Sequence, residues 1–147
     1  MSRRSPALLL VHVVWATHRR RPVLPPSFDS PLFAILGDKA KACGAQLLAA
    51  GCGVDHVHTL VRLSSSSRLA DVVQRLKGAA SHDVNGRSLL PEQLHWQEGY
   101  WAESLGPADV QPLAEYLRTQ RTRHDPSHPA EPWQFDTPNG EPAFGGL

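Results

Sequence analysis

Two cysteines in 147 residues, Cys43 and Cys52, are too few for a disulfide framework, and no Cys-x-x-Cys pair is present. Both read as reduced core thiols. No apolar run approaches the roughly 18 to 20 residues of a membrane span. The start imitates a signal peptide only faintly: His12 interrupts the run that opens at Leu8, and Arg19-Arg20-Arg21 stands where a small-residue cleavage site belongs. A cytoplasmic protein is the expectation. The chain is too short for a TIM barrel, has no internal repeat, and lacks the additional His and Glu residues that an unrelated metal hydrolase of cupin type needs. A large charge of one sign is missing too, the net being +1. Its distribution is uneven, however. All fifteen Lys and Arg, with ten of the fourteen acids, precede residue 124, giving +5; residues 124–147 hold four acids and no Lys or Arg, giving −4. A moderately basic body with an acidic tail is compatible with a polyanionic partner.

What is present is the balance of one soluble globular domain, 41% apolar and 20% charged. Residues 8–17 (LLLVHVVWAT) are β-branched and aromatic and read as a buried strand, with His12 inside it as a satisfied core histidine or, alternatively, a site-facing one. A basic connection through Arg19, Arg20 and Arg21 ends at Pro25-Pro26. Ser27 or Asp29 caps a helix to about Cys43, with Phe28, Leu32, Leu36 and Ala40 on its inner stripe and Gly44 at its stop. A strand over residues 46–50 and a tight turn at Gly51-Cys52-Gly53 lead into a third segment, a strand through residues 56–61. The next helix buries Leu69, Val72, Val73, Leu76 and Ala80, leaving Arg68, Arg75 and Lys77 mostly off that stripe. Asn85-Gly86 signals a turn, residues 89–97 read as irregular, and residues 99–105 (GYWAESL) as a fourth strand. Asp109 caps a last helix that runs through Leu113, Tyr116, Leu117 and Gln120. This order predicts an α+β fold: a ferredoxin-like split β-α-β antiparallel sheet with two helices on one face, plus an added C-terminal helix. Residues 1–124 form the domain and residues 125–147 a Pro- and Gly-rich tail.

The stretch Gly53-Val54-Asp55-His56-Val57-His58-Thr59-Leu60-Val61 carries the first chemical signal. Side chains two apart on a strand share a face, so His56 and His58 project side by side. Two such imidazoles can share a divalent ion with positions left open, or simply be half-buried histidines. Tyr116 and Gln120, four apart, share one helix face. A phenol beside a carboxamide oxygen suits a nucleophile next to a metal; packing of Tyr116 on Leu113 with Gln120 in solvent is the plainer alternative.

Taken together, these segments resemble the single-tyrosine HUH transposases of small insertion sequences (TnpA type) and their REP-associated tyrosine transposase relatives. The residues that carry the resemblance are His12-Val13-Val14-Trp15-Ala16-Thr17, the stretch from Val54 to Val61, Leu76-Lys77-Gly78, Trp96-Gln97-Glu98-Gly99-Tyr100-Trp101-Ala102-Glu103-Ser104, and Tyr116-Leu117-Arg118-Thr119-Gln120. They run in family order over about residues 8–124. The resemblance implies that His56 and His58 are metal ligands, Gln120 the third ligand, and Tyr116 the nucleophile, with Mg²⁺ or Mn²⁺ as the ion. It implies a single-stranded DNA substrate, commonly with a hairpin, and a homodimer. Arg19, Arg20, Arg21, Arg68, Arg75 and Lys77 would hold the DNA backbone, and Trp101 or Tyr100 would stack on bases. Val54 stands where the family usually has Pro, Ala102-Glu103-Ser104 replaces a more aromatic pattern, and the tail lacks the family's helical, charged ending.

The expected activity is cleavage and rejoining of single-stranded DNA through a 5′-phosphotyrosine link. Tyr100 is the second candidate nucleophile. A non-catalytic hairpin-binding regulator on the same scaffold is the alternative function; it would bind DNA without a divalent ion and form no covalent adduct.

Overall fold

The computed structural model describes residues 7–123. The expected boundary at residue 124 and the tail over 125–147 lie outside the described residues. Eight elements form the body: β1 (Leu9–Ala16), α1 (Asp29–Ala42), β2 (Gln46–Cys52), β3 (His56–Leu63), α2 (Leu69–Gly86), β4 (Trp101–Leu105), α3 (Val110–Arg118) and α4 (Gln120–Arg123). The strands make one sheet in the order β2-β3-β1-β4, every neighbour antiparallel. That is the expected split β-α-β arrangement. No described helix is long and apolar enough to cross a membrane.

Strand alternation divides the sheet into two unlike faces. On one face Val11, Val13 and Trp15 of β1 meet Val57 and Val61 of β3 under Leu32, Leu36 and Ala40 of α1 and Val73, Leu76 and Ala80 of α2. This is the main core. The opposite face carries His12, Val14, His56, His58 and Leu60, with Trp101 and Glu103 of β4 cross-strand from Val14 and His12. α3 lies mainly over the β2–β3 half of that second face, while on β1 Leu10 and Val14 are also buried and His12 is half-buried, like Trp101 on β4. Sheet faces buried on both sides read as continuous apolar runs, which is why β1 shows little alternation in sequence.

Three boundaries differ from the sequence expectation, each for a physical reason. β2 continues through Gly51 to Cys52, because Gly51 and Cys52 pair with His58 and Val57, and the turn falls at residues 53–55 instead. Asn85-Gly86 lies in the last turn of α2, and the expected turn follows at Arg87-Ser88, where the Ser88 N–H donates to the Asn85 carbonyl at 3.2 Å. The Asn85 amide is tied to Leu94, accepting from its N–H at 2.6 Å and donating to its carbonyl at 3.0 Å. The last helix is not continuous: Thr119 (φ −106°, ψ 16°) ends α3, and Gln120 opens α4.

Gly51 explains how close the C-terminal helix comes. A Cβ built there would stand 2.0 Å from the Leu117 carbonyl oxygen and 3.0 Å from Gln120 Cγ. The buried Leu117 is α3's main apolar anchor, worth about 1.5–3 kcal/mol. That is a shallow dock, which a misplaced methyl group can undo. Gly51→Ala is therefore expected to cost about 1–3 kcal/mol in urea unfolding and to expose residues 110–121 to hydrogen exchange, while protection in α1 and α2 persists. Unchanged protection over residues 110–121 would contradict the close-approach account.

Candidate functional site

β3 is a central strand, and its alternation turns His56 and His58 away from the main core toward α3. Both are nevertheless buried, at 1% and 0% exposure, under the C-terminal segment. Imidazoles hidden this deeply need hydrogen-bond partners for the ring atoms. Each finds one at Nδ1. His56 Nδ1 is 2.8 Å from Asp55 Oδ1, and His58 Nδ1 is 2.8 Å from His12 Nε2. His12 sits opposite Leu60 on β1, hence diagonal to His58, and the two rings stack with centroids 5.1 Å apart. With Nδ1 engaged on both rings, Nε2 is the atom each directs away from its supporting partner. His56 Nε2 meets Gln120 Oε1 at 3.3 Å.

Asp55 is held from the other side by Arg20, whose Nε and Nη2 donate to the two carboxylate oxygens at 3.1 and 3.4 Å. Burial alone would raise the Asp55 pKa; the hydrogen bond to His56 and the Arg20 charge outweigh it, so the carboxyl lies below its usual range. Arg20 reaches Asp55 from an unusual turn. Arg19 and Arg20 both adopt left-handed backbone (φ 56° and 55°), a conformation costing roughly 1–3 kcal/mol for a residue with a Cβ. The turn is held by Gln97 Oε1 accepting from the Arg19 N–H, and by Thr17, whose N–H donates to the Asp55 carbonyl at 2.9 Å. Gly53 completes the seat, since a Cβ there would lie 2.1 Å from His56 Cε1.

Tyr116 projects from α3 onto the same spot. Its ring meets the His58 imidazole edge-on, with centroids 6.1 Å apart. The break at Thr119 does not separate it from Gln120: both face the histidine pair, from opposite sides of the break. His56, His58, Tyr116 and Gln120 therefore converge within one chain. Tyr100 does not join them; it packs against the main core on the other side of the sheet. Trp101 does come near, its indole edge-on to His12 with centroids 5.2 Å apart, at the open end of the site.

The basic residues divide. Arg20 is engaged by Asp55, and Lys77 donates to the Gln97 and Gly99 carbonyls at 2.8 and 3.0 Å, fixing the chain that enters β4. Burial lowers the Lys77 pKa, with Glu98 opposing. Arg21 pairs with Glu92 at 2.7 Å on the surface. Arg19 and Arg68 are exposed, while Arg75 lines an open groove between α1 and α2, across the sheet from the histidines.

Among the described residues no group of three or more His, Cys, Asp and Glu is arranged to hold an ion. A cation at this place would need the Gln120 amide oxygen as a third donor beside the two imidazoles. The donor set fits: two donors bound at about 2.1 Å to one ion stand roughly 3.0–3.4 Å apart, and His56 Nε2 and Gln120 Oε1 are 3.3 Å apart. The carboxylate and imidazole behind the rings are the supporting partners that metal-binding histidines usually have. Sequence reading pointed to none of Asp55, Arg20 and His12 as such a support. The adjacency of Asp55 to His56 is a readable signal for one of them; the others depend on strand register and turn geometry.

The family described as "Transposase IS200 like" matches residues 6–120. The chain is similar to the crystal structure of a candidate transposase from Deinococcus radiodurans R1, with 25% identity and a TM-score of 0.64, covering 82% of this chain and 97% of that one. It is also similar in fold to a REP-associated tyrosine transposase bound to a REP hairpin, at 14% identity and a TM-score of 0.60, covering 84% of this chain and 74% of the other. No curated protein matches.

The buried histidines make stability depend on pH. Burial lowers the His12 pKa to about 4, and burial also lowers that of His56 against the opposing pull of Asp55. An unfolded histidine titrates near 6.5, so between about pH 6.5 and 4 the unfolded chain takes up protons that the folded one refuses. Stability is full above that window and falls as pH drops through it. Urea unfolding of the metal-free protein should lose roughly 2–3 kcal/mol through His12 alone between pH 7 and pH 4. The His12→Asn variant should show a flatter profile; an equal slope in both proteins would rule out His12 as the source.

Proposed function

Because the chain belongs to the family of IS200-like transposases, we propose that it cleaves and rejoins single-stranded DNA through Tyr116, with a Mg²⁺ or Mn²⁺ ion held by His56, His58 and Gln120. The observation that carries this reading is the convergence of those four side chains from β3 and the C-terminal helices within one protomer. A bound divalent ion would supply Lewis-acid neutralisation of the charge that builds on the phosphate's non-bridging oxygens.

The chain's own residues do the rest. Asp55 and His12 hold the imidazoles by Nδ1, so that Nε2 of each would be presented to the ion without reorganisation. The Tyr116 hydroxyl attacks phosphorus, forming a P–O bond as the bond to the 3′ oxygen breaks. The products are a 5′-phosphotyrosine and a strand ending in 3′-OH, which carries away one proton for the one the phenol gives up. An ordinary phenol has a pKa of about 10, so it must lose its proton in the course of attack. Rejoining is the reverse step with a different 3′-OH. The phosphoester energy is conserved in the covalent link, so no nucleotide is consumed.

The β1–β4 side of the sheet, where His12 and Trp101 are half-buried beside the histidine pair, is the approach for the strand. Trp101 lies beside His12 there, offering a face for a base, and the exposed Arg19 offers charge to the backbone; Arg68, at the start of α2 with Asp71 4.0 Å away, belongs to the wider basic surface. A single strand fits this approach better than a duplex, whose scissile phosphate is shielded by its stacked partner strand. A hairpin flanking the cleavage point is the partner proposed for the basic surface, Arg75 included. All four groups lie in one chain, so in this reading each copy of the expected homodimer would carry its own centre.

Incubation with a labelled single strand carrying its flanking hairpin should give a Mn²⁺-dependent covalent adduct, removed by chelator and restored by Mn²⁺. Tyr116→Phe should lower adduct formation by about a thousandfold or more. An adduct that persists in Tyr116→Phe would contradict the nucleophile. Metal-independent hairpin binding with no adduct in the wild-type protein would favour a non-catalytic regulator instead.

A further inference from the structure

Tyr116 and Gln120 stand on two short helices with Thr119 between them, out of helical register. One rigid rod does not carry both, and although both pass closely over Gly51, Gln120 has a second attachment beside it. Tyr116 rides on α3, seated by Leu117 over Gly51. The residue next to Gln120, Arg121, makes a different attachment. Its Nη1 donates to the Leu24 carbonyl at 2.6 Å, its Nη2 to the Pro25 carbonyl at 2.9 Å, and its Nε and Nη2 to the two oxygens of Asp29, the first residue of α1. A planar guanidinium satisfied on both edges fixes orientation as well as distance. Leu24 in turn donates its N–H to the Val54 carbonyl at 2.9 Å, immediately before Asp55 and His56. The fork thus ties α4 to the segment that leads directly into the histidine strand.

The geometry points to Arg121 as a positioning residue: clamped on Asp29, Leu24 and Pro25, it holds the Gln120 amide oxygen in register with His56 Nε2, separately from whatever places Tyr116. This role rests on the reading of Gln120 as the third donor to the ion. It assigns the stability of the donor set to a contact with α1 on the far side of β2, not to the tyrosine helix.

The test is a Mn²⁺ titration, followed by electron paramagnetic resonance, of the full chain and of Arg121→Ala, Arg121→Lys, Gln120→Ala and the Arg121→Ala/Gln120→Ala pair. Loss of a supporting partner of a metal ligand usually lowers metal affinity about 10- to 100-fold. Arg121→Ala should show a loss in that range, Arg121→Lys a smaller one, and the double variant a loss no greater than Gln120→Ala alone. In metal-free protein, hydrogen exchange at the Gln120 and Arg121 amides should accelerate in Arg121→Ala while residues 113–117 keep their protection. Wild-type affinity in Arg121→Ala, or effects that multiply in the double variant, overturns the positioning role and leaves the site intact. Wild-type protein that binds no Mn²⁺, or Gln120→Ala that binds it undiminished, overturns the donor set and this role with it.

Discussion

The contact on which the rest depends is the one between the C-terminal segment and the backbone of β2 at Gly51. Only because that position lacks a side chain can the Leu117 carbonyl and the Gln120 side chain come down onto the sheet. Without this approach His56 and His58 would be two solvent-facing rings on an otherwise ordinary strand. With it they are enclosed, and a phenol and an amide are delivered from the opposite wall. The dock buries little apolar surface, with Leu117 its main contributor, so its rigidity comes from polar attachments. The Arg121 fork and the Gln120–His56 contact stand at the end of the segment, where a shallow helix would otherwise fray.

The second constraint is orientation. A buried imidazole can point either nitrogen at a ligand, and the choice lies with the atom behind it. Two unlike supports make the same choice here. Asp55, itself held by Arg20 from a left-handed turn, fixes His56; His12, neutral and stacked, fixes His58. The backbone strain at Arg19 and Arg20 is intelligible in this light, because it brings a cation to the carboxylate that orients a ring. For the proposed DNA substrate such preorganisation would be useful: a fixed array of donors needs no rearrangement when charge develops on a phosphate.

Much of this was legible from residues alone. Period-two alternation placed His56 and His58 on one face, and the element order specified the split β-α-β sheet; Tyr116 and Gln120 do face the same histidines, but across the break at Thr119 and not by the spacing of one helix. The fold needed only local patterns plus a topology rule, and such signals survive in a single sequence. What could not be read depended on contacts between distant segments. His12 supports His58 only through the β1–β3 register, and Arg20 reaches Asp55 only through two left-handed residues that no propensity favours. Arg20 and Lys77 look like surface cations in sequence, yet a carboxylate and two carbonyls engage them. The continuous terminal helix ends at Thr119, whose φ of −106° and ψ of 16° leave the helical range, and the long-range attachment of Arg121 just beyond it carries no local signal.

The account turns on four groups meeting at one phosphate, and a crystal structure with Mn²⁺ and an uncleaved single strand measures that directly. It should place the manganese anomalous peak within about 2.4 Å of Nε2 of His56, Nε2 of His58 and Oε1 of Gln120, with the Tyr116 oxygen about 3–3.5 Å from the scissile phosphorus. A peak away from the paired imidazoles, or a phosphate that binds out of reach of Tyr116, would contradict it.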